Sequence, residues 1–220
     1  MTRGVVNWRT MGVWVVVVAA GGGTRFGAPK QFAPLGTSTV LERSVATAVS
    51  VADGVVVVLP TDRVADAPGG VCVTAGGATR SASVRAGLAL VPDDVEVVIV
   101  HDAARPFATD ALYAAVIAAV RAGADAAVPA LPIADTVKRI DGVEVVATVP
   151  RDDLVVVQTP QAFAAAALRA AHAGGGEGTD DAAMIEAAGG RVVVVAGEHR
   201  NFKITVPADL AVAAALLEAT

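Results

Sequence analysis

The sequence predicts an α/β fold in which a mostly parallel sheet is flanked by helices. Three observations predict it. Valine-rich apolar runs recur at 13–18, 55–59, 95–100, 154–157 and 192–195 without polar alternation, the pattern of strands covered on both faces. Helical patterns separate these runs, so strand and helix alternate along the chain. Apolar residues make up 54% of the 220 positions, enough for the core of one domain and too many for general disorder.

Each element has its own signal. The run 13–18 leads straight into Gly21-Gly22-Gly23, a buried strand ending in a tight loop. Residues 39–52 read as a helix stopped by Asp53-Gly54. The strand at 55–59 is followed by a shorter one at 71–74, which passes through Gly76-Gly77 into a helix at 81–90, with Ser81 as a candidate N-cap. The strand at 95–100 ends on His101-Asp102, and a helix at 109–122 stops at Gly123. Residues 133–149 break the rhythm, because Asp141-Gly142 lies between two β-rich runs and marks a hairpin. A turn centred on that pair sets Ile140 against Val143, Arg139 against Glu144 and Thr136 against Ala147, with Thr136 and Arg151 near the hairpin base. A two-stranded ribbon alone is marginally stable, so it leans either on its own domain or on a second copy of the chain. A strand at 154–157, helices at 162–173 and 180–188, a strand at 192–195 and a helix at 208–219 complete the chain.

Composition narrows the function. Lys and Arg total 17 against 22 Asp and Glu, a net charge of −5, which leaves no footprint for nucleic acid or a membrane surface. Aromatic residues, 4% of the chain, provide no base-stacking platform. The single cysteine, Cys72, excludes an intrachain disulfide and a cysteine zinc site, and points to a reducing, cytoplasmic setting. His101, His172 and His199 are too scattered for a histidine metal cage. The apolar stretch 11–23 behind Arg3 and Arg9 imitates a signal peptide. It is shorter than the ~20 residues a bilayer span needs, and cleavage after Ala20 would remove the first strand. Residues 1–10 therefore read as a loose extension, and 11–220 as one domain with 133–149 as its arm.

The chemistry concentrates in loops after strands. Ala19-Ala20-Gly21-Gly22-Gly23 and the following residues to Gln31 form a glycine loop of the kind that lets backbone N–H groups approach phosphate. The spacing fits neither the dinucleotide fingerprint nor the Walker pattern. What it offers is two cations, Arg25 and Lys30, beside the loop, which suits a polyphosphate; the competing reading is a tight turn with solvated charges. Asp102 and Arg105 lie at the carboxyl end of a strand, where α/β sheets gather ligands. His101 and Asp102 do not make a dyad, because neighbours in a strand face opposite ways. A carboxylate at 102 suits Mg2+ or a substrate hydroxyl. Lys203 sits between Phe202 and Ile204 and calls for an anionic partner. No H-E-x-x-H or G-x-S-x-G motif is present. Cations, glycine loops and a few carboxylates suit phosphoryl or nucleotidyl transfer, in which an ionised phosphate nucleophile needs no general base.

In order and spacing, AAGGGTRFGAPKQ (19–31), GGATRSASV (76–84), HDAARPF (101–107), DTVK (135–138), QTPQAF (158–163), TDDA (179–182) and NFKIT (201–205) resemble the 2-C-methyl-D-erythritol 4-phosphate cytidylyltransferase family over residues 13 to 219. The resemblance implies a Rossmann-like nucleotidyltransferase whose protruding β-hairpin arm embraces a second subunit in a homodimer. It implies CTP over the glycine loop near Ala19, Ala20, Gly21 and Gly23, with Gly77 and Ser83 at the cytosine. Asp102 is implied at the ribose, substrate or Mg2+. It assigns Arg25 and Lys30 to the triphosphate, Lys203 to the α-phosphate, and Arg105, Thr136, Arg151, Thr159 and Thr179 to the polyol phosphate. Arg151 counts among both the catalytic and the substrate residues, with Thr136 and Arg151 reaching across the dimer. Ala78 and Ala82 stand where relatives often carry acidic residues. Two alternatives accompany this reading, a ribitol 5-phosphate cytidylyltransferase and a non-catalytic nucleotide-binding homologue. A glycosyltransferase is disfavoured, because Asp102 is followed by Ala103-Ala104 instead of completing Asp-x-Asp.

Overall fold

The computed structural model describes residues 12–23 and 26–218, so the extension at 1–10 and Arg25 lie outside the described residues. In chain order the strands are β1 (Val13–Val18), β2 (Pro34–Leu35), β3 (Ser38–Thr39), β4 (Gly54–Leu59), β5 (Cys72–Ala75), β6 (Val97–Asp102), β7 (Ala126–Pro132), β8 (Val137–Asp141), β9 (Glu144–Val149), β10 (Val155–Val157), β11 (Gln161–Ala164) and β12 (Val192–Ala196). The helices are α1 (Val40–Val51), α2 (Arg80–Leu88), α3 (Asp110–Arg121), α4 (Ala165–Ala173), α5 (Asp181–Ala187) and α6 (Pro207–Glu218).

The main sheet has eight strands. Parallel β5, β4, β1 and β6 form one half, and β11 then runs antiparallel between β6 and β7. The far side of β7 carries parallel β12, and antiparallel β10 pairs with its C-terminal end. Valines of the central strands alternate between two cores. Val15, Val17, Val57 and Ile99 meet α1 and α3 through Leu41, Val45, Tyr113 and Val116. Val16, Val58, Val98 and Val100 meet α2, α4 and α5 through Val84, Leu168 and Ile185. Each such side chain, fully buried, contributes about 1.5–3 kcal/mol, and burial on both faces explains the unbroken valine runs.

Threonine and aspartate start the helices. Thr39 closes a capping box with Glu42, Thr109 caps α3 and Asp180 caps α5. The cap of α2 is Thr79, which accepts from Ala82 N, and not Ser81.

Four further expectations are corrected. Residues 161–164 begin no helix; they form β11, because antiparallel pairing with β6 overrides the helical preference of alanine. The Ala-rich, Pro-containing β7 escapes the valine pattern altogether. The strand expected at 95–100 is shifted to Val97–Asp102. The run at 154–157 is a strand, but its side chains are exposed, since β10 lies along an end of β7 that nothing covers.

The hairpin β8–β9 is a separate two-stranded sheet with mostly exposed side chains. Its turn is displaced by one residue from the expected one. Asp141 pairs with Glu144, and Gly142, at φ 55°, takes the first central position, where a positive φ favours glycine. A bulge between Arg139 and Ile140 then sets Arg139 against Ala147, so the expected Arg139–Glu144 and Thr136–Ala147 pairs do not form. The last pair is Val137–Val149, leaving Thr136 and Arg151 flanking the base as expected.

Candidate active site

The carboxyl ends of β1, β5 and β6 surround a cavity of about 390 Å³ lined by Ala19, Ala20, Gly21, Gly23, Lys30, Gly77, Ser83, Asp102 and Lys203, among others. The loop after β1 is held open by a buried side chain. Gln31 donates through Nε2 to the carbonyls of Ala19 (2.7 Å) and Gly21 (3.1 Å). Gly23, at φ 66°, accepts at its carbonyl from the amides of Phe26 and Gly27, both at 2.9 Å. The loop thus closes on itself with room for an anion above its backbone.

The second wall is the turn from β5 into α2. Gly77 N donates to Ser83 Oγ (3.2 Å), whose hydroxyl donates to Thr79 O (2.9 Å). Ser83 therefore shapes the turn as well as lining the cavity. A Cβ on Gly77 would come within 2.5 Å of the Ala82 Cβ, so this approach requires glycine.

A second cavity, about 300 Å³, lies against the first and is lined by Arg105, Thr159, Gln161, Thr179 and Asp180. Three residues border both cavities: Arg80, Asp102 and Lys203. Lys203 Nζ donates to Asp102 Oδ2 at 2.6 Å, and Arg80 Nε stands 3.6 Å from Asp102 Oδ1. Burial pushes the Asp102 carboxyl up, but Lys203, Arg80 and Arg105 outweigh it and hold the group well below the usual carboxylate range.

Beneath Asp102 runs a chain of hydrogen bonds. Asp102 N donates to Thr159 Oγ1 (3.0 Å), Thr159 Oγ1 meets His101 Nδ1 (3.1 Å), and His101 Nε2 meets Arg105 O (3.2 Å). The Nε2–H tautomer satisfies every link: the hydroxyl donates to Nδ1 and the ring donates to the carbonyl. Burial, which outweighs the neighbouring Asp102, lowers the His101 pKa to about 4, so the ring is neutral at physiological pH. His101 is structural, and β6 does turn it away from Asp102. Thr159, 5% exposed, spends its hydroxyl on this chain. Arg105 is anchored by Nη1 to Asn201 O (2.8 Å), and burial, opposed by Asp102, lowers its pKa.

The predicted site residues divide accordingly. Ala19, Ala20, Gly21, Gly23, Lys30, Gly77, Ser83, Asp102 and Lys203 gather at the first cavity, and Arg105, Thr159 and Thr179 at the second. Thr136 and Arg151 are exposed at the hairpin base, outside both cavity walls, where Arg151 Nη1 donates to Ala134 O. Arg25 lies outside the described residues. Sequence reasoning missed Arg80 and Gln31 as site residues. Both lie inside stretches singled out for chemistry, but neither their spacing nor their flanks betray the long-range partners that define them.

A hollow of about 390 Å³ at the carboxyl edge of an α/β sheet, lined by a glycine loop and joined to a second cavity through a Lys–Asp–Arg wall, is the architecture of a nucleotidyltransferase. The family model of 2-C-methyl-D-erythritol 4-phosphate cytidylyltransferase matches residues 13–219, and the chain belongs to that family. It is 47% identical over 216 residues to the enzyme of that name from Rhodococcus opacus (strain B4), covering 94% of this chain and 95% of the relative. It is 49% identical over 213 residues to the bifunctional enzyme IspD/IspF of Clavibacter michiganensis, where the match covers 89% of this chain and 52% of the relative. The chain thus spans about half the length of such bifunctional relatives. The crystal structure of 2-C-methyl-D-erythritol 4-phosphate cytidylyltransferase from Thermus thermophilus superposes with a TM-score of 0.82 at 41% identity, covering 94% of this chain and 100% of that one.

Proposed function

We propose that this chain transfers the cytidylyl group of CTP to 2-C-methyl-D-erythritol 4-phosphate, giving CDP-methylerythritol and pyrophosphate. The observation that carries the reading is the wall shared by the two cavities, Arg80, Asp102 and Lys203, which is where an acceptor from one side meets a nucleotide from the other. CTP lies over the glycine loop with its base toward Gly77 and Ser83. The acceptor phosphate enters the second cavity beside Arg105, Thr159 and Thr179. One of its oxygens, ionised at neutral pH, attacks the α-phosphorus in line. A new P–O bond forms as the bond to the β-phosphate oxygen breaks, and pyrophosphate leaves with the electron pair. No general base is required. Lys30, together with Arg25, holds the triphosphate, and Lys203 offsets charge at the α-phosphate, stabilisation aimed at the transition state.

The donor set fits Mg2+ brought in on the nucleotide. Asp102 faces the cavity as a single carboxylate, and no group of three or more His, Cys, Asp or Glu capable of holding a metal exists among the described residues. Phosphates and water would complete the shell, the usual habit of this ion. When bound, it supplies charge neutralisation on the triphosphate.

The arm supports a homodimer with Thr136 and Arg151 supplied to the neighbouring subunit. Ile140, Val143, Val145 and Val146 are exposed on an isolated hairpin, and two strands of that kind need a partner. Replacing Asp141-Gly142 by Thr-Val removes the turn glycine and is expected to lower the mass by light scattering from dimer to monomer at low micromolar concentration; a persisting dimer overturns the arm as its basis. The single cysteine, Cys72, a free thiol, supports a cytoplasmic setting. Among the described residues no helix is long and apolar enough to cross a membrane.

Pyrophosphate release with CTP and Mg2+ tests the function against two acceptors in parallel. Release with methylerythritol 4-phosphate alone is expected. Release with ribitol 5-phosphate alone would overturn the acceptor assignment, and silence with both would overturn the activity.

A further inference from the structure

We propose that Arg80, anchored by the buried carboxylate of Asp181, is a further positioning residue for the transfer: its guanidinium faces one oxygen of Asp102 as an ion partner while Lys203 is hydrogen-bonded to the other, and so it fixes the boundary between the two cavities. The proposal rests on the reading of those cavities as nucleotide and acceptor sites. Arg80 Nη1 donates to Asp181 Oδ2 at 2.7 Å, and its Nε faces Asp102 Oδ1 at 3.6 Å. Asp181 is fully buried, lines neither cavity, and meets His172 Nε2 through its other oxygen at 3.0 Å. A polar chain therefore runs from α4 through α5 and α2 to the tip of β6, joining elements that no sheet hydrogen bond connects.

The residue types fit this task. A planar guanidinium presents N–H groups in fixed directions to two carboxylates at once; a lysine ammonium is a point charge on a flexible stem and sets no such fork. A buried carboxylate is seldom favourable for stability alone, since an apolar side chain of similar volume often serves as well. Here it gives Arg80 one orientation. With Arg80 fixed, the Asp102 carboxylate is held from both sides in one orientation at the boundary of the two cavities. Asp181 acts through Arg80, and Arg80 acts through Asp102, so losses along the chain should not multiply.

Steady-state kinetics with CTP and methylerythritol phosphate test this. Arg80→Lys and Asp181→Asn are each expected to lower kcat by about tenfold to a hundredfold, the scale of a small misplacement. KM for CTP should change far less than kcat, because the glycine loop is untouched even though Arg80 borders the same cavity. The double variant should be no slower than Arg80→Lys alone, the mark of two residues acting as one unit. A kcat near wild type in Arg80→Lys overturns the proposal, as do losses that multiply in the double variant. If Asp181→Asn fails to fold, Arg80→Lys decides by itself. A silent wild type would overturn the acceptor assignment instead, and the Arg80 Nε–H signal in 15N NMR then decides: it should shift or broaden in Asp102→Asn, and a signal indifferent to that change overturns the positioning role.

Discussion

Lys203→Ala should lower kcat by on the order of 10²-fold or more in a protein that still folds. The surroundings explain why the loss is confined to chemistry. Phe202 stacks on Phe107 with ring centroids 6.0 Å apart, and Ile204 is buried with its amide on the Ala104 carbonyl at 2.8 Å. The backbone at 203 is therefore pinned on both sides, and of residues 202–204 only Lys203 lines the cavities. Its Nζ, 2.6 Å from Asp102, is the cation best placed to meet charge that grows on the α-phosphate. Removing it leaves Asp102 to Arg80 and leaves the developing charge without that offset. CTP binding, measured by calorimetry, should weaken far less than turnover. A kcat close to wild type would remove Lys203 from its assigned role.

Gly23→Ala should abolish the nucleotide site more thoroughly than any other single methyl group. Two effects add. At φ 66° a side chain costs about 1–2 kcal/mol. In addition, an added Cβ would fall 2.0 Å from the carbonyl oxygen of Ala28, a backbone atom that moves only if the loop opens. KM for CTP is expected to rise by on the order of tenfold or more, since one unit of 1.4 kcal/mol in binding is already tenfold. Gly27→Ala is the control. Its φ is 82°, but nothing lies within 4 Å of its Cβ position, so it carries the backbone strain without the collision. Equal KM values for the two variants would show that the closed loop is not the nucleotide cradle.

The sequence made the central strands legible because β1, β4 and β6 are buried on both faces, and such burial writes itself as uninterrupted valine. The glycine loop was legible for a related reason, since it depends on a residue type that few others replace, whereas the cap expected at Ser81 gave way to Thr79, two positions away. What remained hidden depends on distant pairing. Strand β11 reads as helix because its alanines and phenylalanine have no period of their own, and only β6 and β7 make it a strand. The exposed valines of β10 look like core because a valine run does not state what covers it. The hairpin was visible, but its bulge was not, since Gly142 names a turn without naming which central position it fills. Asp102 and Lys203 were found one by one as a carboxylate at a strand end and a lysine among apolar neighbours. Their union at 2.6 Å, 101 positions apart, and the Arg80–Asp181 pair at the same separation, are products of the topology alone.

Strand β11 has a consequence for how the acceptor is measured out. By running between β6 and β7, it sets the Gln158–Gln161 turn beside the tip of β6, so that Asp102 and Thr159 are joined by a direct hydrogen bond. Neighbouring strands lie about 4.8 Å apart, a spacing that the ladder enforces and side chains do not alter. In the proposed reaction the gap between acceptor and nucleotide is therefore gauged by the sheet itself, as a rigid ruler, and no hinge between halves is needed to bring the reactants together. A longer or bulkier polyol cannot be admitted by stretching that ruler. It has to be accommodated outward, by the glycine-rich segment before Thr179, where the chain can change length without disturbing a ladder.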